Sequence, residues 1–132
     1  VVRLIPDDLP PLTADQEMLR NCLVNLLSNA VQAMDDGGTI TVGAAHDPQQ
    51  HQFRLMVADD GAGMPAEDLE RIFQPYFTTR EAGIGLGLAI TERIIKAHGG
   101  DILVESRQGE GTTFTMVIPD APTDHEQKSV TT

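Results

Sequence analysis

The chain has 132 residues, of which 40% are hydrophobic and 22% charged, with a formal net charge of −11. That is one domain with room for a real core, and its acidity argues against nucleic acid or an anionic membrane as partner, since both are bound through basic side chains. One cysteine, Cys22, excludes an intrachain disulfide and fits a reducing cytoplasm, and no apolar run approaches the ~20 residues that span a bilayer.

In chain order, residues 1–5 read as a short strand ended by Pro6, Pro10 and Pro11. Structure begins almost at Val1, with no Met before it, as in a piece of a longer protein. A helix follows from Thr13 or Asp15, either of which suits an N-cap, to about Met34, with Asp36, Gly37 and Gly38 as the stop. Residues 39–45 and 52–59 are β-rich and flank a polar turn at Asp47, Pro48 and Gln49, which predicts a hairpin. Residues 65–73 read as a short helix, 75–85 as a mobile loop, and 86–98 as a helix closed by Gly99 and Gly100. Two strands, 101–106 and 112–118, complete a domain over 1–119, and the polar stretch 120–132 reads as a disordered tail or linker. The order β-α-β-β-α-α-β-β predicts an α/β (α+β) two-layer sandwich: a mixed sheet of about five strands with about three helices on one face.

Four blocks carry the chemistry: NLLSNA at 25–30, DDGAG at 59–63, FQPYFTT at 73–79 and GIGLGL at 83–88. In the first helix, Leu19, Leu23, Leu26, Leu27, Ala30 and Met34 form an apolar stripe. Asn25, Asn29 and Gln32 share a face that places them ~140° from that stripe. Asparagine is a mediocre helix former. Two of them a turn apart suit either a solvated face or, beside the other blocks, a line of amide oxygens facing a pocket. Such oxygens are suitable ligands for Mg²⁺.

Phe53, Leu55, Val57 and Asp59 alternate onto one face of a strand, bringing a carboxylate to the edge of an apolar layer. Burial there costs free energy unless the carboxylate is paired, and the exocyclic amine of adenine is a fitting donor. Gly61 and Gly63 let backbone approach a purine. The stretch from Gly61 to Ala66 also matches a dinucleotide fingerprint, but Asp59 and Asp60 sit where pyrophosphate would arrive and no βαβ unit follows. Asp60 reads as a solvated neighbour. Gly83, Gly85 and Gly87, with Leu86 and Leu88, lead into the second long helix without a capping side chain, so its first amides suit phosphate. Thr78 and Thr79 are suggestive companions, and Arg80 is the one basic residue between the phenylalanines and the glycines. His46 and His51 flank the hairpin turn and read as solvated. His98 reads as a residue at a helix C-terminus, facing the helix dipole.

In order and identity the four blocks resemble the ATP-binding catalytic domain of sensor histidine kinases, in the gyrase, chaperone, histidine kinase and mismatch-repair ATPase superfamily. The resemblance runs from about Thr13 to Pro119 and implies the Bergerat-type ATP-binding fold. It implies Mg²⁺ on Asn29, adenine on Asp59, and a structural role for Phe73, Pro75 and Phe77 at the base of a lid. Arg80 is assigned the γ-phosphate, with a free surface arginine as the alternative. Gyrase-like relatives place a basic glutamate where this chain has Asn25, so the resemblance implies a phosphoryl donor that activates water poorly. Gln32 stands where many sensor kinases carry lysine. NAVQAM at 29–34 and a short lid at about 77–83 resemble the nitrogen-regulation type.

The implied partners are ATP or ADP, a histidine-bearing dimerisation domain of the same kinase, and the receiver domain of a response regulator. None of His46, His51, His98 and His125 lies in a phosphoacceptor motif, so the target histidine is expected outside this sequence. The alternatives are a nucleotide-dependent docking module without transferase activity, and a gyrase-type ATPase, which Asn25 disfavours.

Overall fold

Alternation in the strands decides which side of the sheet is covered. In the computed structural model, which describes residues 2–4, 16–34, 37–74 and 87–119, five strands form one sheet in the order β1-β2-β3-β5-β4. They are β1 (Val2–Leu4), β2 (Ile40–Asp47), β3 (Gln52–Asp59), β4 (Asp101–Arg107) and β5 (Gly111–Pro119). The last four run antiparallel to their neighbours, and β1 adds parallel pairing along the outer edge of β2.

Pairing stacks the side chains of the covered face in rows. Val42, Val57, Phe114 and Val104 form one row, and Ala44, Leu55, Met116 and Ile102 the next. Onto these rows pack α1 (Gln16–Gln32) and α3 (Gly87–Ala97), which also touch each other, while the short α2 (Ala66–Leu69) lies against β4. The core joins Met18, Cys22, Leu26 and Ala30 of α1 to Val57, Ile102, Phe114 and Met116 of the sheet and to Ile95 of α3. Burial pushes the Cys22 thiol above its ordinary range, so it packs as a small apolar side chain.

The buried line of α1 runs through Met18, Cys22, Leu26 and Ala30, with Leu19, Leu23, Leu27 and Met34 half-buried beside it. The stripe is therefore rotated from the one read in the sequence, and Asn25 lies about 60° round the helix from Cys22 and about 100° from Leu26. Asn25 and Asn29 are half-buried on the flank of the core rather than opposite it.

The helix ends have local causes. At the end of α1 the bonds shorten to Ala33 N–H on the Ala30 carbonyl and Met34 N–H on the Val31 carbonyl, and Gly37 follows at φ 89°. At the end of α3 the Gly100 N–H bonds the Ile95 carbonyl and the Gly99 N–H the Lys96 carbonyl. With Gly99 at φ 82° this is a Schellman stop. His98 Nδ1 lies 2.8 Å from the Ile94 carbonyl and satisfies one of the last acceptors. The helix expected over 65–73 shrinks to the four residues of α2 and continues as turns, with Arg71 N–H on Asp68 and Gln74 N–H on Arg71. The proposed N-caps Thr13 and Asp15, the loop 75–85 and the tail 120–132 lie outside the described residues.

Candidate nucleotide site

The rows of the covered face turn polar at one end. There Ile40, Asp59, Thr112 and Ser106 stand side by side across β2, β3, β5 and β4. Asp59 is 8% exposed and Thr112 5%, so the carboxylate read from the sequence does sit at the margin of the apolar layer, beyond Phe53 and Val57. Its Oδ1 accepts the Gly61 N–H at 2.9 Å.

The hydroxyls beside it have a fixed polarity. Ser106 donates its one proton to the Gly111 carbonyl at 2.9 Å and accepts the Met64 N–H at 2.9 Å. The 2.8 Å contact between Ser106 and Thr112 must then carry the Thr112 proton. Thr112 has no further proton to give, and its remaining capacity is to accept. The row thus offers two oxygen acceptors, Asp59 and Thr112, which suits the amino group of adenine and repels the carbonyl that guanine carries there. Thr112 and Ser106 were missed in the sequence because pairing across strands, and not spacing along one, brings them to Asp59.

The loop after Asp59 is held from both sides. Ala62 donates to the Ala33 carbonyl at the end of α1 and accepts from Gly109 in the β4–β5 turn. A Cβ on Gly61 would run into the Ala33 carbonyl. Gly63 lies at φ 70°, where a Cβ would strike the Arg107 carbonyl. Both glycines therefore already have a packing reason within the protein, besides the approach of a purine. Asp60 is not merely solvated: its Oδ1 accepts the Thr39 N–H at 2.9 Å and ties the loop to the entry of β2.

The other end of the site lies between α1 and α3. Asn25 donates through Nδ2 to Thr91 Oγ1 at 3.1 Å, and Thr91 donates to the Gly87 carbonyl at 2.8 Å. Asn29 follows one turn later, half-buried on the same flank. Gln32 turns to Ser28 on the exposed surface, with Nε2 3.3 Å from the hydroxyl, and leaves that line. Gly87 opens α3 with no acidic residue in the helix's first turn, and Leu88 packs against the core. Arg80, Thr78, Thr79, Gly83, Gly85 and Leu86 lie outside the described residues.

Among the described residues no group of three His, Cys, Asp or Glu side chains could hold a metal ion by itself. The amide oxygens of Asn25 and Asn29 are donors of the type that Mg²⁺ takes one or two of, completing its shell with water and phosphate. His46, expected to be solvated, packs its ring on Phe53 across the hairpin with centroids 4.7 Å apart.

Comparison with known proteins points the same way. Residues 14–122 match the family described as histidine kinase-, DNA gyrase B- and HSP90-like ATPase. The chain is 43% identical over 113 residues to the sensor histidine kinase ZraS of Escherichia coli (strain K12), covering 86% of this chain and 24% of that protein. It is 40% identical to sporulation kinase E of Bacillus subtilis (strain 168), again over 86% of this chain but 15% of the relative. The chain thus spans a quarter or less of the length of these relatives.

Among solved structures, full-length ShkA in complex with AMPPNP superposes with a TM-score of 0.82 at 33% identity, over 92% of this chain and 26% of that one. The histidine kinase ThkA in complex with the response regulator TrrA gives 0.77 at 31% identity, over 92% of this chain and 34% of that one.

Proposed function

Because this chain belongs to the histidine kinase-, DNA gyrase B- and HSP90-like ATPase family, we propose that it is the ATP-binding catalytic domain of a two-component sensor histidine kinase. In this reading it donates the γ-phosphoryl group of ATP to a histidine on a separate dimerisation domain, which then serves the receiver domain of a response regulator. The observation that carries it is the polar row of Asp59 and Thr112, two acceptors at the margin of a core whose one other buried polar side chain among the described residues is Thr91. The short segment 77–83 and the NAVQAM ending support a place in the nitrogen-regulation type, and the single cysteine supports a cytoplasmic site of action. Among the described residues no helix is long and apolar enough to cross a membrane.

The chain's own residues divide the work. Asp59 and Thr112 hold the base, with Gly61 and Gly63 shaping the loop against it. The N-terminus of α3 at Gly87 and Leu88 receives phosphates, joined by Gly83, Gly85, Leu86, Thr78 and Thr79. Arg80 neutralises the γ-phosphate as charge moves during transfer, which is mainly a matter of positioning and electrostatics. Asn29 supplies an amide oxygen to Mg²⁺, which when bound screens the phosphate charges.

Two measurements follow. Supplied with γ-labelled ATP and a separate histidine-helix domain from a relative, the chain labels that domain; absence of label in the presence of bound ATP would remove the transferase reading. Asn29→Ala loses most of the gain in nucleotide affinity that Mg²⁺ confers. Because Asn29 is half-buried at the flank of the core, its melting temperature should fall by a few degrees at most, about 1 kcal/mol. A variant that keeps the full Mg²⁺ dependence would return Asn29 to a structural role.

A further inference from the structure

We propose that Thr91 is a positioning residue that decides which end of the Asn25 amide faces the phosphates. Thr91 is fully buried, so no solvent competes for its hydroxyl. Its single proton goes to the Gly87 carbonyl at 2.8 Å. Toward Asn25 it can therefore only accept, and Asn25 must present its NH₂, as the 3.1 Å contact from Nδ2 shows. Reversed, the amide would set its oxygen lone pair against that of a hydroxyl closed to water.

The planar amide then carries its oxygen away from Thr91. That oxygen lies beside the first residue of α3, 3.9 Å from where a Cβ on Gly87 would stand. The relay from Asn25 through Thr91 to the Gly87 carbonyl thus joins α1 to α3 and points an acceptor at the anion-binding end of the helix. Phosphate oxygens are acceptors too. Through that oxygen Asn25 would therefore meet the nucleotide by way of Mg²⁺ or its water shell, and not by a direct contact with a phosphate oxygen. This deepens the nucleotide reading and rests on it.

The test compares Thr91→Val, which keeps the shape and removes the relay, with Thr91→Ser, which keeps the hydroxyl. Calorimetry with ADP is run in Mg²⁺ and in EDTA. In Thr91→Val the amide is free to turn, and the affinity gained on adding Mg²⁺ shrinks about ten-fold, while affinity in EDTA is unchanged or rises because NH₂ now reaches phosphate. Thr91→Ser restores the gain. Equal losses in Mg²⁺ and EDTA, an undiminished Mg²⁺ gain in Thr91→Val, or failure of the serine variant to rescue would each overturn the assignment.

A second readout needs neither nucleotide nor metal. In the ligand-free wild-type chain the Asn25 side-chain NH₂ exchanges slowly with water by NMR, and rapid exchange of those protons would overturn the relay even if Thr91→Val did not fold. Should wild type bind no ADP at all, the nucleotide reading fails, and the amide spectrum still decides the relay.

Discussion

Asp59→Asn weakens ATP binding by about 30-fold or more and leaves GTP binding no weaker than in wild type. The replacement keeps shape and keeps an oxygen for the Gly61 N–H, which Asp59 Oδ1 now accepts at 2.9 Å, so the loop stays in place. What changes is the group turned to the base. A carboxylate oxygen accepts from the adenine amine, and a hydrogen bond to a charged partner contributes about 1.5–3 kcal/mol. An amide presents NH₂ to NH₂ instead, while for guanine the same NH₂ meets a carbonyl. Discrimination between the two bases therefore narrows from both directions. Calorimetry with both nucleotides measures it, with thermal unfolding as the control for fold. Equal ATP affinity in the two proteins would take Asp59 out of the site.

The second large effect is an absence of turnover. Incubated alone with ATP and Mg²⁺, the chain releases phosphate about 10²–10⁴-fold more slowly than an ATPase with a carboxylate at the position of Asn25, the range that general-base assistance supplies. An amide takes no proton at neutral pH, and here its nitrogen is already committed to Thr91. Among the described residues the histidines that could substitute are elsewhere: His46 packs on Phe53 at the hairpin, His51 stands in the turn before β3, and His98 closes α3. A coupled phosphate-release assay checks this. Brisk hydrolysis that disappears on Asn25→Ala would show that the residue assists water and that the chain is an ATPase.

Much of this was legible in the sequence because it depends on spacing along one strand or helix. Alternation from Phe53 to Asp59 is a local pattern, and it placed the carboxylate correctly at the edge of the core. The glycine stops after both long helices are local as well. Register between strands is not local, and Thr112 and Ser106 reach Asp59 only because β5 lies between β3 and β4. The rotation of α1 was misjudged for a different reason. A stripe drawn through the leucines passes over Met18 and leaves the small Cys22, itself expected to be buried, off its centre, whereas the line facing the sheet runs through both. The asparagines were consequently placed too far from the core, and the contact from Asn25 to Thr91 had no sequence signal: a threonine inside an apolar helix face reads as one more core residue. His46 reads as solvated because its partner Phe53 is brought to it only by the hairpin, while Asp60 is exposed as expected and gains the Thr39 N–H from 21 residues away.

The row that contains Asp59 is governed by parity. Side chains in a strand alternate between two faces, so the carboxylate is inside only for one of the two possible parities of β3 against β2 and β5. A slip of one residue would send Asp59 to the uncovered face together with Phe53, Leu55 and Val57, and no intermediate register keeps half of them in. Base recognition and core formation are thus a single choice, made when the strands pair. A chain of this sequence that has lost its adenine site through misregister has also lost its core, whereas one that binds adenine has proved the register of three strands at once.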